Sequence, residues 1–276
     1  MANGQSGKVS GMTGRTVSEM FNLAGRVALV TGGSGFLGRA MCEALAEAGA
    51  SVIVASRDQA RAEAAAGQLL RIGDADHFGI TIDHKDEASI QAGFDDAISK
   101  AGRVDVLVNN GQSGPAEDWT DATPQGFKEH LDNLTGYFML SRQLRDHAVQ
   151  RASAASIVMI GSMYGVVGSY PDAYEGVCPA SPAAYHATKG GVIHLTRHLA
   201  VYWAKDGVRV NCLSPGPFPN LEIAPAEMVR RLESKSPMGR MGLPHEVKGA
   251  LLLLGTDAGS YITGQNLLVD GGWTAW

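Results

Sequence analysis

The stretch from Arg26 to Ala50 constrains the fold more than any other part of the chain. Arg26-Val-Ala-Leu-Val-Thr31 is a short, β-branched apolar run of the kind that forms a strand buried on both faces. It runs directly into Gly32-Gly33-Ser34-Gly35-Phe36-Leu37-Gly38, and the helical pattern RAMCEALAEAGA follows. Gly33, Gly35 and Gly38 satisfy GxGxxG in the context that gives the motif its meaning, a strand, a tight turn and a helix. Glycines there let the backbone approach a pyrophosphate, whose charge is met by the helix amino terminus. The alternative is a plain glycine-rich turn.

Strand and helix signals then alternate to the end of the chain. Strands are expected at Ser51–Arg57, His77–Asp83, Val104–Asn109, Ser156–Ser162, Val208–Leu213 and Asn266–Asp270. Between them lie DQARAEAAAGQLLRIG, Asp86–Ala101, a long helix within Thr123–Ala148, and a helix from Ser181 to Asp206. Ser181 reads as the N-cap of that last helix, with Pro182 at its first position. Regular alternation predicts a single-domain α/β Rossmann fold, with a doubly wound, mostly parallel seven-stranded sheet and helices on both faces. The domain is expected over residues 21–276, after a polar, glycine-rich flexible tail at 1–20.

Composition closes off other classes. The net charge of -5 offers no basic surface for nucleic acid or anionic membrane, and no apolar run approaches a membrane span. Cys42, Cys178 and Cys212 are odd in number and scattered, which argues against a disulfide framework or zinc site, and no histidine cluster suggests another metal. The chain reads as cytoplasmic.

Tyr185 and Lys189 carry the chemistry. Four residues apart on one helix, they lie one above the other on the same face. A phenol titrates near pH 10 in water, and a nearby ammonium favours its phenolate, so the pair is suited to acid/base work. An ordinary half-exposed pair is the alternative for an isolated YxxxK. Ser162 lies at the carboxyl end of the fifth strand, where open α/β sheets bind ligands. Asn133 and Gly136 sit inside the long helix, where both residue types are locally unfavourable and a tertiary reason is expected.

The second strand ends in Ser56 and Arg57 rather than in the carboxylate that holds a ribose 2'-hydroxyl. A guanidinium there suits a 2'-phosphate, favouring NADP(H) over NAD(H). The other reading leaves Arg57 in solvent and gives the acidic role to Asp58. Asp83, at the end of the third strand, is placed to reach an adenine edge, with His84 beside it.

TGGSGFLG, Asn109-Asn110-Gly111, Asn133, Ser162, YHATK at 185–189, SPG at 214–216 and the ending ITGQNLLVDGG together resemble the short-chain dehydrogenase/reductases. The ordered match runs from about Phe21 to the C-terminus. GSMYGVV, PDAYEG and SPAAY further resemble gluconate 5-dehydrogenases and other sugar oxidoreductases. The resemblance implies that Tyr185 moves the proton of a carbonyl/alcohol pair. Lys189 would lower its pKa and hold the nicotinamide ribose, and Ser162 would bind the substrate oxygen. Asn133 would kink its helix and hold a relay water. Asn109 and Gly111 would lie beside the adenosine ribose and Pro215-Gly216 under the nicotinamide, with Phe218 near the cofactor.

Two departures stand out. Phe36 occupies the place of the middle glycine in the family's TGxxxGxG, and Ser162 and Tyr185 lie farther apart than is usual. The intervening segment, 168–179, is expected to form a loop beside the site, whose Tyr170, Asp172, Tyr174 and Glu175 either bind a polyhydroxylated substrate or only pack the loop. Ser113, Met163 and Tyr164 are the other candidate substrate contacts. Arg230, Arg231, Lys235 and Arg240 could meet a sugar acid's carboxylate or form a solvated helix face.

The expected activity is NAD(P)(H)-dependent interconversion of a secondary alcohol and a ketone, on a sugar, polyol or sugar acid. Alternatives are a 3-oxoacyl thioester reductase and, in another class, a non-catalytic dinucleotide-binding redox sensor. A homo-oligomer, dimer or tetramer, is expected by resemblance, with Trp273 and Trp276 buried against a neighbouring subunit.

Overall fold

The computed structural model describes residues 14–276. Its frame is one seven-stranded sheet in the order β3-β2-β1-β4-β5-β6-β7. The strands are β1 (Val27–Thr31), β2 (Ser51–Ser56), β3 (Phe78–Thr81), β4 (Val106–Asn109), β5 (Ala155–Ile160), β6 (Val208–Pro215) and β7 (Asn266–Val269). Every pairing is parallel, so the "mostly parallel" expectation holds in its strictest form. The chain winds outward from β1 to β3 and then restarts at β4 on the other side of β1. That reversal opens a crevice at the carboxyl ends of the central strands, where such sheets bind ligands.

The period of two along each strand divides the interior into two cores. In β1, Val27 and Leu29 face one side with Ile157 and Met159 of β5, against α4 (Glu87–Ala101), α5 (Pro124–Gln150) and α7 (Ala183–Trp203). Ala28 and Val30 face the other with Val158 and Ile160, against α2 (Phe36–Glu47) and α9 (Lys248–Gly255). Leu29, Ile157 and Leu140 are fully buried, each contributing about 1.5–3 kcal/mol of transfer free energy. A short α3 (Gln59–Ala66) packs on β2 and β3.

A third, smaller cluster stands apart from both cores. It joins Met163 and Tyr164, the insertion helix α6 (Pro171–Tyr174), Leu232 of α8 (Ala226–Glu233), Met241 and Trp273. Trp273 is 2% exposed within its own chain, and its ring meets Tyr170 edge-on at 5.5 Å. It needs no neighbouring subunit for cover, contrary to the expectation from sequence; Trp276 remains 73% exposed.

Other boundaries also differ. Residues 1–13 of the expected tail lie outside the described residues, but Val17–Phe21 form a helix, α1, closed by a Thr16/Glu19 capping box. Arg15 pairs with Asp257, so this part of the stretch 1–20 is tied to the domain. Ser181 does not cap α7. Pro182 holds an extended ψ of 134° and takes the cap position itself, with no side-chain cap bond. No helix among the described residues is long and apolar enough to cross a membrane.

Candidate active site

A groove of about 610 Å³ runs over the carboxyl ends of β1, β2 and β4. Gly32, Ser34, Gly35, Phe36, Leu37 and Gly38 form one wall, Ser56 and Arg57 one end, and His84, Asn110, Gly111 and Ser113 the other wall. Gly38 cannot carry a side chain, because a Cβ would sit 2.1 Å from the Gly32 carbonyl oxygen. Gly33 faces the other way. Its Cβ would meet Cys42 and Val54, so it serves the packing of α2 on the sheet rather than the groove. Gly35 caps α2 without a side chain, which leaves that helix's first-turn N–H groups open to an anion. Phe36 begins α2 and is 42% exposed on the groove, so its departure from the family pattern adds an apolar surface without filling the turn.

The opposite wall is pinned by side-chain amides. Asn110 donates from Nδ2 to the carbonyls of Thr31 (3.0 Å) and Gly32 (3.2 Å), and its own N–H donates to Thr31 Oγ1. Asn109 is a correction: it is fully buried below the groove, where Nδ2 donates to Tyr137 O and Ser141 Oγ and ties β4 to α5. Asp83 lies two residues past β3, which ends at Thr81; its Oδ1 accepts the Lys85 N–H, and Ile82 and His84 on either side of it line the groove.

Asn133 explains its awkward place in α5. Its Oδ1 accepts from the Ser113 N–H (3.0 Å) and from His84 Nε2 (2.6 Å), and its Nδ2 donates to the carbonyls of Ser113, Glu129 and His130. α5 runs unbroken past it. Burial lowers the His84 pKa, so the ring is neutral near pH 7 and its Nε2–H is the donor. Asn133 thus fixes the groove wall itself.

The groove continues into a pocket of about 220 Å³ lined by Ser162, Tyr185, Lys189, Pro215, Gly216 and Phe218. Ser162 lies two residues past β5, and its Oγ accepts the Tyr164 N–H at the start of a single 3-10 turn. Tyr185 and Lys189 come from the first turns of α7, the ammonium 5.6 Å from the centre of the phenol ring. Lys189 Nζ donates to the Ile160 carbonyl at 2.8 Å. Burial brings the Lys189 pKa down to about 8. Burial pushes the Tyr185 phenol above its ordinary value, with Ser162's hydroxyl bond opposing it. The direction is set by burial rather than by the lowering expected from Lys189, and Tyr185 is a neutral phenol near pH 7.

Comparisons with known proteins agree with this geometry. The family model described as enoyl-(acyl carrier protein) reductase matches residues 34–274. Galactitol 2-dehydrogenase of Rhizobium johnstonii is 37% identical, over 94% of this chain and 98% of its own. D-arabinitol 2-dehydrogenase (ribulose-forming) of Scheffersomyces stipitis is 34% identical over 93% and 96%. A short-chain type dehydrogenase/reductase from Mycobacterium marinum superposes with a TM-score of 0.84 at 29% identity, covering 95% of this chain and all of the other. The chain belongs to the short-chain dehydrogenase/reductase family. It is an oxidoreductase acting on an alcohol or carbonyl group, and the family's cofactor is a nicotinamide dinucleotide. A gluconate 5-dehydrogenase from Burkholderia cenocepacia, solved with NADP and tartrate, also superposes with a TM-score of 0.84, at 27% identity over 95% of this chain and all of the other.

The groove of this short-chain dehydrogenase/reductase fits such a dinucleotide: it is elongated, the glycine turn forms one wall, and the uncapped start of α2 offers free N–H groups to an anion. The candidate substrate residues are placed differently. Met163, Tyr164 and Tyr174 are buried in the third cluster, the two tyrosine hydroxyls 2.6 Å apart, and form a layer behind Tyr185. Glu175 is exposed, and its carbonyl accepts from Arg231. The basic residues nearby are already engaged. Arg230 pairs with Glu227 and Arg240 with Glu246, while Lys235 pairs with Asp172 and Arg231 bonds Glu227 and the insertion backbone.

Sequence reasoning missed Gln112, which lines both the groove and the pocket. Its position directly after Asn109-Asn110-Gly111 was the available signal. A separate cavity of about 560 Å³ opens at the amino ends of the strands, beside Arg26, Arg209 and Asp257, away from every catalytic candidate. Among the described residues no cluster of three metal-ligating side chains occurs.

Proposed function

We propose that this chain is an NADP(H)-preferring dehydrogenase that interconverts a secondary alcohol and a ketone on a sugar, polyol or sugar acid. The observation that carries the reading is the convergence of Ser162, Tyr185 and Lys189 in one pocket that opens into the dinucleotide groove. In carbonyl reduction the neutral Tyr185 phenol donates its proton to the substrate oxygen, and Ser162 Oγ–H donates a second hydrogen bond to the charge developing there. In alcohol oxidation the phenolate takes the hydroxyl proton, a form that gains as pH rises. Lys189 uses one of its three donors on Ile160 and has two left for ribose hydroxyls. The cofactor supplies or accepts the hydride.

Polyol or sugar substrates are supported by the names of the galactitol and arabinitol relatives. NADP(H) is supported by Ser56, Arg57 and Arg61 at the end of the groove. The rival reading gives the acidic role to Asp58, which also lines that end of the groove, while one of its carboxylate oxygens accepts the Arg61 N–H as the N-cap of α3. A homo-oligomer belongs to the same proposal.

The test follows nicotinamide absorbance with NADPH and NADH against galactitol, arabinitol, gluconate and acyl thioesters. Wild type is expected to turn over the polyols or sugar acid, and Tyr185→Phe to lose at least about a hundredfold in kcat, as loss of a general acid does. Thioester turnover alone would move the assignment to the acyl reductases named by the family model. Tight dinucleotide binding without turnover would favour a redox sensor.

A further inference from the structure

We propose that Tyr164 is a positioning residue for the alcohol/carbonyl reaction, holding Ser162 in its working place beside Tyr185, and that Tyr174 of the insertion locks it there. The assignment rests on the roles proposed above for Ser162 and Tyr185. Both tyrosines act through Ser162 rather than on the substrate.

Ser162 stands on a turn rather than in the sheet, so its place depends on what holds the turn. β5 ends at Ile160, and Ser162 is the N-cap of the single 3-10 turn Met163–Gly165. Its Oγ accepts the Tyr164 N–H at 3.1 Å. With one lone pair engaged in this way, the hydroxyl's own hydrogen turns away from that N–H and is free to donate. The pocket that Ser162 shares with Tyr185 and Lys189 is where such a donor serves the reaction. A donor displaced by even a fraction of an ångström loses rate, so whatever fixes Tyr164 also sets the worth of Ser162.

Tyr164 and its turn are held at three points. Its ring stacks on the His186 imidazole, with 4.6 Å between centres and 19° between planes, and His186 follows Tyr185 on α7. Gly165 seats the turn on the same helix, because a Cβ there would lie 2.7 Å from the carbonyl carbon and oxygen of Lys189. The third hold comes from the insertion: the Tyr164 hydroxyl lies 2.6 Å from that of Tyr174, the last residue of α6. Both rings are buried in the third cluster, on which Tyr185 also packs. Apolar contact fills that space without fixing an angle, whereas a hydroxyl bond shut off from water is directional. The segment that separates Ser162 from Tyr185 in sequence thus closes back on the turn that carries Ser162.

The test removes both hydroxyls at once in Tyr164→Phe/Tyr174→Phe, which keeps the two rings and leaves neither partner unpaired. This variant is expected to melt as wild type does and to bind the dinucleotide as tightly. Steady-state kinetics use whichever of galactitol, arabinitol, gluconate and an acyl thioester the wild type turns over fastest. kcat should fall about two- to tenfold, the worth of one hydrogen bond, with the substrate KM unchanged. Tyr174→Phe alone, which leaves the turn's own residues untouched, should show the same split. On a Ser162→Ala background the double change should cost less than about twofold more, because the group it positions is gone.

Unchanged kcat in the double variant would overturn the assignment. So would a rise in KM at constant kcat, which would make the pair a substrate contact. An equal loss of kcat with and without Ser162 would also overturn it, since the pair would then support the pocket at large. A Ser162→Ala enzyme as active as wild type would instead refute the underlying role of Ser162, and the assignment with it.

Discussion

Gly136 shows how one position can run against local preference for a reason far away in sequence. In a helix interior, alanine is favoured over glycine by up to about 1 kcal/mol. Here a Cβ would lie 1.8 Å from the His84 carbonyl oxygen and 2.8 Å from its carbon, both backbone atoms that cannot swing aside. Overpacking of that kind costs about 1–3 kcal/mol, so it outweighs the propensity gain. Gly136→Ala is expected to destabilise the fold by about that amount. It should also weaken dinucleotide binding, because His84 lines the groove. Urea unfolding and cofactor titration read the two effects separately. A variant as stable as the parent would mean that the His84 turn yields without cost.

At the scale of elements, the insertion and α8 behave as one cap. Arg231 Nη1 donates to the carbonyls of Asp172 (3.0 Å) and Glu175 (2.8 Å), and Lys235 holds the Asp172 carboxylate while its ammonium lies 4.6 Å from the Tyr170 ring centre. The exposed ion pair is worth at most about 1 kcal/mol, so the two carbonyl bonds and the small third core are what hold the insertion down. Because that core is separate from the two that flank the sheet, opening it leaves the sheet intact. Arg231→Ala is therefore expected to raise amide exchange over residues 168–180 at least tenfold while the global melting temperature falls by only a few degrees, an effect of about 1.4 kcal/mol confined to the cap. Hydrogen-exchange mass spectrometry checks this, and a uniform loss of protection would show that the cap and the sheet open together.

For the whole molecule, the outer surface carries several exposed apolar side chains. Val201 and Tyr202 near the end of α7 are 78% and 61% exposed, Tyr261 is fully exposed, and the edge strand β7 is only half covered. A second copy is the proposed partner for this surface. Light scattering at assay concentration is expected to give a dimer or tetramer of the 29.0 kDa chain. A mass of one chain would refute the oligomer, and the burial of Trp273 within its own subunit means that its fluorescence would report the cap rather than assembly.

The order of elements, the parallel sheet and the nearness of Tyr185 to Lys189 were legible in the sequence, because each follows from a local period. A continuous β-branched apolar run buries a strand on both faces, and four-residue spacing stacks two side chains on one helix face. The glycine turn was legible for the same reason, as strand, turn and helix are contiguous. What the chain did not disclose depends on which distant groups meet. Asn109 and Asn110 are neighbours of one type, yet one is buried under α5 and the other pins the glycine turn, because the pleat turns them to opposite sides. Lys189 was expected to lower the pKa of Tyr185, but burial by the surrounding core decides its direction. Trp273 and Gln112 acquire their meaning only from the cavity and the cluster around them. Sequence determines what repeats locally; solvation, and the partners of buried polar groups, are set only when the tertiary fold brings remote segments together.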